Sequence, residues 1–241
     1  MSVPWHTSPD AQTAADACAH HITSLLEVAL SRQENATLAV SGGSTPKLLF
    51  QHLAASRFAW DRVHVFWVDE RVVPPTDPAS NYKLAADYLI GPAHIPHTQV
   101  HRILGELPPQ TAATRYEQEI RDFFGLERGE MPHFDVVHRG MGPDAHTASL
   151  FPGDPLIDDR DGIAAATFAE KFKQWRVTLL PGVLTAAKHT VFLVAGEDKK
   201  EAVRAVMQGE YEPKRYPAQI GTHPGRGVMW FLDQKAAALM E

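Results

Sequence analysis

The sequence contains one cysteine, Cys18, among 241 residues. A single thiol excludes an intrachain disulfide framework and fits a reducing compartment. Cys18 falls on the apolar face of a helical pattern, so it reads as a buried small hydrophobe rather than a nucleophile. No apolar run is long enough to span a bilayer, and the polar N-terminal stretch lacks a basic-then-apolar signal pattern. The expectation is a cytoplasmic protein that does not engage a membrane. No Ser/Gly/Pro-rich linker, internal repeat or low-complexity tract divides the chain, which favours one domain over residues 1–241. Basic charge is also scarce: 23 Lys and Arg stand against 29 Asp and Glu, a formal net charge of −6. That balance argues against nucleic-acid binding. It also means that an anionic ligand needs a local positive site, built against the field of the whole molecule. No segment points to an obligate protein partner.

What is present is a 44% hydrophobic chain in which short apolar runs alternate with helical patterns. Strands are expected at Thr37–Val40, Val63–Val68, Phe134–Val137, Ile163–Phe168, Val191–Ala195 and Val228–Leu232, with a shorter one at Val100–Ile103. Ser8-Pro9-Asp10 reads as a helix start, a Ser cap followed by Pro at the first helical position. Further helices are expected after Pro46, through Tyr82–Leu89, over Ala112–Phe124, between Leu180 and Lys188, through Val203 and Met207, and at the C-terminus behind an Asp233 cap. The fold class is therefore α/β, a mostly parallel sheet with helices on both faces.

Three stretches can carry chemistry. The first is Ser41-Gly42-Gly43-Ser44-Thr45, a strand end leading through glycines to a helix start. Such a turn suits an anion, because the backbone can approach closely and unpaired N–H groups point outward, although it also occurs as an ordinary βα turn. It is not a Walker A loop, since the G-x-x-x-x-G-K-[ST] spacing is absent. The second is Asp69-Glu70-Arg71 at a strand end, where Arg71 can clamp a phosphate or carboxylate, or simply pair locally. The third runs from Phe134 to Gly153. An apolar strand breaks at Gly140 and Gly142 and presents Asp144 and His146 two residues apart. An imidazole titrates near neutrality and can take a proton from water, with Asp144 orienting it. Gly140, Gly142 and Ala145 also match G-x-G-x-x-A, but Pro143 and Asp144 stand where a dinucleotide pyrophosphate needs free N–H groups. His94, His97 and His101 are interrupted by Pro96 and read as a solvated loop rather than a metal site.

In order along the chain, S-G-G-S-T-P at 41–46, W-V-D-E-R-V-V-P at 67–74, S-N-Y at 80–82, G-M-G-P-D-A-H-T-A-S-L-F-P-G at 140–153, R-V-T-L at 176–179, F-L-V-A-G-E-D-K at 192–199, P-A-Q at 217–219 and W-F-L-D at 230–233 resemble the 6-phosphogluconolactonase family. The resemblance spans nearly the whole chain. It implies a modified Rossmann-like α/β fold, shared with glucosamine-6-phosphate deaminases and ribose-5-phosphate isomerases. It implies hydrolysis of 6-phosphogluconolactone, a small phosphorylated sugar lactone of the pentose phosphate pathway, with no metal and no organic cofactor. It assigns the general base to His146, seconded by Asp144. Substrate binding falls to Gly42, Gly43, Ser44, Thr45 and Arg71, with Arg176 and Lys199 matching cationic positions of the related deaminases.

The chain departs from the family pattern in three places, one of them the unusually placed proline and glycine of Leu180-Pro181-Gly182. Ala145 stands where glycine is usual, so a positive φ there would strain the turn that carries His146. His138-Arg139 stands where aliphatic residues are usual. Two rival functions accompany the lactonase: an isomerase or deaminase, which needs a further carboxylate such as Asp69 or Glu70, and a non-catalytic sugar-phosphate sensor.

Overall fold

The computed structural model describes residues 3–222 and 227–240. In chain order the strands are β1 (Trp5–Ser8), β2 (Ala36–Val40), β3 (Val63–Trp67), β4 (Asp69–Arg71), β5 (Val100–His101), β6 (Val136–Arg139), β7 (Ala164–Ala169), β8 (Gln174–Leu179), β9 (His189–Val194) and β10 (Gly227–Asp233). The helices are α1 (Ala11–Leu30), α2 (Ser44–Ala55), α3 (Asn81–Ala85), α4 (Pro109–Phe124), α5 (Pro181–Ala186) and α6 (Lys200–Gln208).

Among the described residues, seven strands form a sheet in the order β1-β10-β9-β6-β2-β3-β5, every pairing parallel. Its central strands are buried on both faces, which favours the apolar runs of β2 and β9, while β6 also buries His138 and Arg139. In β9, Val191 and Leu193 join the core beneath α1, with Ala15, Cys18, Ile22 and Leu26. Phe192 and Val194 point the opposite way, into a second cluster with Val203 and Val206 of α6 and Trp230 of β10. The period-2 alternation of the strand thus distributes one run between two layers. Each fully buried aliphatic side chain contributes about 1.5–3 kcal/mol relative to exposure.

The site is positioned by the strand order. From β2 the sheet grows outward through β3 and β5, and from β6 it grows the other way through β9 and β10. The order reverses between β2 and β6, and a crevice opens outside the carboxyl ends of strands at such a switch point. A second, three-stranded antiparallel sheet, β4-β8-β7, overhangs this edge.

Four expectations are corrected. The first helix is capped by Asp10, whose Oδ1 accepts from Thr13 N at 2.8 Å, and not by Ser8. Ser8 instead ends β1, a strand the polar sequence did not signal, where it lies in register with Asp233. Asp69–Arg71 is not the tail of β3 but a strand of the second sheet. Beyond Asp233 the described residues form turns, without a helix, although Asp233 Oδ1 does accept from Ala236 N at 2.7 Å.

Candidate active site

A cleft of about 560 Å³ lies over the switch point. Its walls come from the segments that follow β2, β3, β6 and β9, together with the second sheet. Gly42, Gly43, Ser44, Thr45, Arg71, His146, Arg176 and Lys199 all line it, so the three stretches singled out in the sequence converge on one site. Asp144 stands behind His146.

The wall after β2 is a glycine turn. Gly43, at φ +124°, directly precedes α2, whose first turn faces the cleft through Ser44 and Thr45. A Cβ at Gly42 would collide with the Asn81 side chain, so the close approach of these two segments requires glycine. The helix supplies unpaired N–H groups and the positive end of its dipole to this wall.

The wall after β6 carries the imidazole. His146 Nδ1 lies 2.5 Å from Asp144 Oδ1, while Lys171 Nζ lies 2.9 Å from Asp144 Oδ2. Burial pushes the Asp144 carboxyl up. The hydrogen bond and charge of His146, together with Lys171, outweigh that and hold it below the usual carboxylate range. With Nδ1 committed to Asp144, Nε2 is the ring nitrogen without a protein partner among the described residues. The Phe151 ring packs 4.6 Å from the imidazole, centroid to centroid.

The turn itself is strained. Ala145 takes φ +61° and Ala148 φ +52°, left-handed conformations that cost a residue with a Cβ about 1–2 kcal/mol. Hydrogen bonds hold the turn in place: Ala145 N donates to Gly142 O at 3.0 Å, Gly142 N to His146 O at 2.9 Å, and Ala218 N to Ala145 O at 2.9 Å. Alanine at 145 therefore takes up the conformation that suits glycine, and His146 still meets Asp144. The G-x-G-x-x-A match opens no helix; residues 141–149 are turns with a bridge between Thr147 and Leu150.

The third wall is β4 against β8, with Arg71 directly opposite Arg176. Neither guanidinium has a carboxylate within ion-pair distance among the described residues. Arg71 Nη1 donates to Ala79 O at 2.5 Å, but Nε of both arginines is buried without a partner. Burial holds Arg176 below the usual arginine range. The nearby Arg71 charge adds to that, and the Asp69 and Glu70 charges oppose it. Lys199 differs, because its Nζ is paired with Asp198 Oδ2 at 2.5 Å.

The Asp-Glu-Arg triplet divides by strand alternation. Asp69 and Arg71 face the cleft. Glu70 turns the other way and accepts from Arg71 N, Asn81 N, Tyr82 N and Ser80 Oγ at 2.7–2.9 Å, closing the N-terminus of α3. Its buried carboxyl is pushed up by desolvation, which those donors partly oppose. Glu70 is thus committed to structure and unavailable as the second base of an isomerase. Asp69 Oδ2 accepts from Ser149 Oγ at 2.7 Å, a pairing between two walls that the linear sequence does not display. Lys171, Phe172 and Gln174 were also missed. They lie on a hairpin whose place above the cleft depends on the second sheet.

His138 and Arg139 are both fully buried in β6. Burial pushes the His138 imidazole down to about 3 and the Arg139 guanidinium down to about 9. Arg139 packs over the Phe192 ring at 4.6 Å, donates from Nη1 to Ile220 O at 2.6 Å and from Nε to Thr147 Oγ1 at 3.2 Å, so it ties the imidazole-bearing loop to the segment beneath it. His101 bonds His64 and Glu119 rather than His94 or His97. Among the described residues, no three His, Cys, Asp or Glu side chains gather as metal ligands, and no helix is long and apolar enough to cross a membrane.

A profile described as glucosamine-6-phosphate isomerases/6-phosphogluconolactonase matches residues 9–230. A 6-phosphogluconolactonase from Nostoc sp. is 38% identical over 218 residues, 90% of each chain. A solved 6-phosphogluconolactonase from Trypanosoma brucei superposes with a TM-score of 0.89 at 27% identity, covering 100% of both chains. A monomeric glucosamine-6-phosphate deaminase shares the fold, with a TM-score of 0.82 at 18% identity over 98% of this chain and 99% of that one.

Proposed function

The chain belongs to the glucosamine-6-phosphate isomerase/6-phosphogluconolactonase family, and from that footing we propose that it hydrolyses 6-phosphoglucono-1,5-lactone to 6-phosphogluconate, the lactonase step of the pentose phosphate pathway. The observation that carries this reading is an imidazole with Nδ1 held by a carboxylate, across a cleft from two guanidiniums that have no carboxylate partner among the described residues.

The 6-phosphate sits against Arg71 and Arg176, with the Gly42–Thr45 turn and Lys199 completing the pocket. Charge-assisted, bidentate contacts to a phosphate are the strongest hydrogen bonds these side chains can make. Phosphate binding places the lactone carbonyl beside His146, so binding energy from a remote group orients the reacting ester. Nε2 takes a proton from water as its oxygen attacks the carbonyl carbon. Asp144 stabilises the imidazolium that forms. Backbone N–H groups of the glycine turns meet the developing oxyanion. The tetrahedral intermediate collapses, the bond to the ring oxygen breaks, and the imidazolium returns its proton to that oxygen. The carboxylic acid product ionises and releases one proton.

The test follows acid release from freshly prepared 6-phosphogluconolactone above its spontaneous rate, beside ammonia release from glucosamine 6-phosphate. Lactone turnover alone is expected. Ammonia release would establish the deaminase instead, and sugar-phosphate binding with no turnover of either compound would make the protein a sensor.

A further inference from the structure

The ion pair between Lys171 and Asp144 joins two parts of the molecule that are separate in the fold. Lys171 sits at the tip of the β7–β8 hairpin, which belongs to the antiparallel sheet, while Asp144 belongs to the loop after β6. The tip is a tight turn. Phe172 N donates to Ala169 O at 2.9 Å, Lys173 takes φ +49°, and Lys173 Nζ pairs with Glu170 Oε2 at 2.6 Å. That turn delivers the Lys171 ammonium to Asp144 Oδ2, the oxygen that His146 does not use. The neighbouring Phe172 ring lies 5.9 Å from Phe151, which in turn covers the imidazole, and the Arg176 guanidinium lies 5.4 Å from Phe172.

We propose that Lys171 is a positioning residue for the hydrolytic step, an ammonium that fixes Asp144 from the side opposite His146 and weakens the carboxylate's hold on the imidazolium. A carboxylate bound only by the imidazole can rotate, and its full charge favours the protonated ring. A cation on the second oxygen stops the rotation and shares the charge. The other charged groups facing the cleft around His146 are Asp69 and Arg71 from β4, Arg176 from β8, and Lys199 after β9. None of these is in ion-pair contact with Asp144, so Lys171 is the cation through which the carboxylate is tuned. Lys171 is half exposed, and solvent therefore screens its effect to a modest size.

The inference rests on His146 being the base of the proposed hydrolysis, and it is tested in two independent ways. The first is titration of the His146 imidazole by NMR, without substrate, in wild type, Lys171→Met and Lys171→Arg, with assignment by His146→Gln. Lys171→Met should raise the titration midpoint by about half a pH unit, and Lys171→Arg should restore it. In an Asp144→Asn background the same Lys171→Met change should leave the midpoint unmoved, because the lysine acts through the carboxylate. The second is the pH profile of kcat/KM for the lactone. Its acid limb should move to higher pH in Lys171→Met, lowering the rate about threefold on that limb with KM near wild type. An unchanged midpoint, or a shift that persists in Asp144→Asn, overturns the role of Lys171 whatever the protein hydrolyses. A rise confined to KM overturns it in favour of a direct substrate contact. A midpoint that moves as expected in a protein with no lactone turnover supports the coupling and overturns the lactonase reading instead.

Discussion

The two sides of the cleft treat charge in opposite ways. On the β6 side the charges that meet at the imidazole are matched: His146 meets Asp144 at 2.5 Å, and Asp144 meets Lys171 at 2.9 Å. On the β4–β8 side the charges are left open, with Arg71 opposite Arg176 and no carboxylate in ion-pair contact with either among the described residues. A proton-transfer group needs a fixed partner, because its tautomer and direction decide whether it can act. An anion-binding group needs the reverse, since a guanidinium already neutralised by a carboxylate has little left to offer a phosphate. Burying two like charges side by side is costly, which is why burial and the neighbouring Arg71 both hold Arg176 below the usual arginine range. A protein of net charge −6 thus forms a local cationic surface by withholding partners.

With charge divided in this way, substitutions on the two sides should have separable kinetics. The largest effect is expected from His146→Ala, a loss of about 100- to 10,000-fold in kcat for the lactone with KM little changed, measured by initial rates of acid release. Next come Arg71→Ala and Arg176→Ala. Each should raise KM by about 10- to 100-fold, the worth of one charge-assisted hydrogen bond to the phosphate, and leave kcat within a few-fold of wild type.

A third expectation concerns the sheet beneath both sides. His138 is buried without charge, its imidazole pushed down to about 3. The unfolded chain binds a proton at this histidine below its ordinary value of 6.5, and the folded chain does not until about 3. Its contribution to stability is therefore complete above pH 6.5 and is lost as pH falls toward 3. His138→Val should flatten the acid side of the Tm-against-pH curve while leaving the neutral Tm within a few degrees of wild type. The smallest effect is expected from Ala145→Gly. Relief of the left-handed backbone opposes the loss of a buried methyl and the greater freedom of glycine in the unfolded chain, so stability should change by no more than about 1 kcal/mol. Turnover should stay at the wild-type level, since hydrogen bonds already hold the turn.

Much of this contrast was legible in the sequence, but unevenly. Buried parallel strands announce themselves as apolar runs, and the turns after β2 and β6 carry glycines at positions where a Cβ would strike Asn81 or His146. Those local signals located the cleft, the Asp144–His146 pair and Arg71. The second sheet was less visible. β4 is a three-residue strand, and its pairing with β8 brings together residues more than a hundred positions apart. The juxtaposition of Arg71 with Arg176, the Asp69–Ser149 bond and the Lys171 contact all follow from that pairing, so none could be read from spacing. Glu70 was ambiguous for a related reason. Only the strand alternation of β4 separates it from Asp69 and Arg71 and turns it toward α3. β1 went unrecognised because its stability comes from parallel pairing with β10 rather than from its own residues, and Ser8 resembled a cap because Pro9 follows it, although the capping side chain is Asp10.

The division of labour across the cleft is best examined by the affinity of inactive protein for the product. Isothermal titration of 6-phosphogluconate into His146→Ala should give a Kd within about threefold of wild type, whereas Arg176→Ala should bind at least about tenfold more weakly. A His146→Ala protein that loses affinity as severely as Arg176→Ala would contradict the separation of proton transfer from phosphate binding.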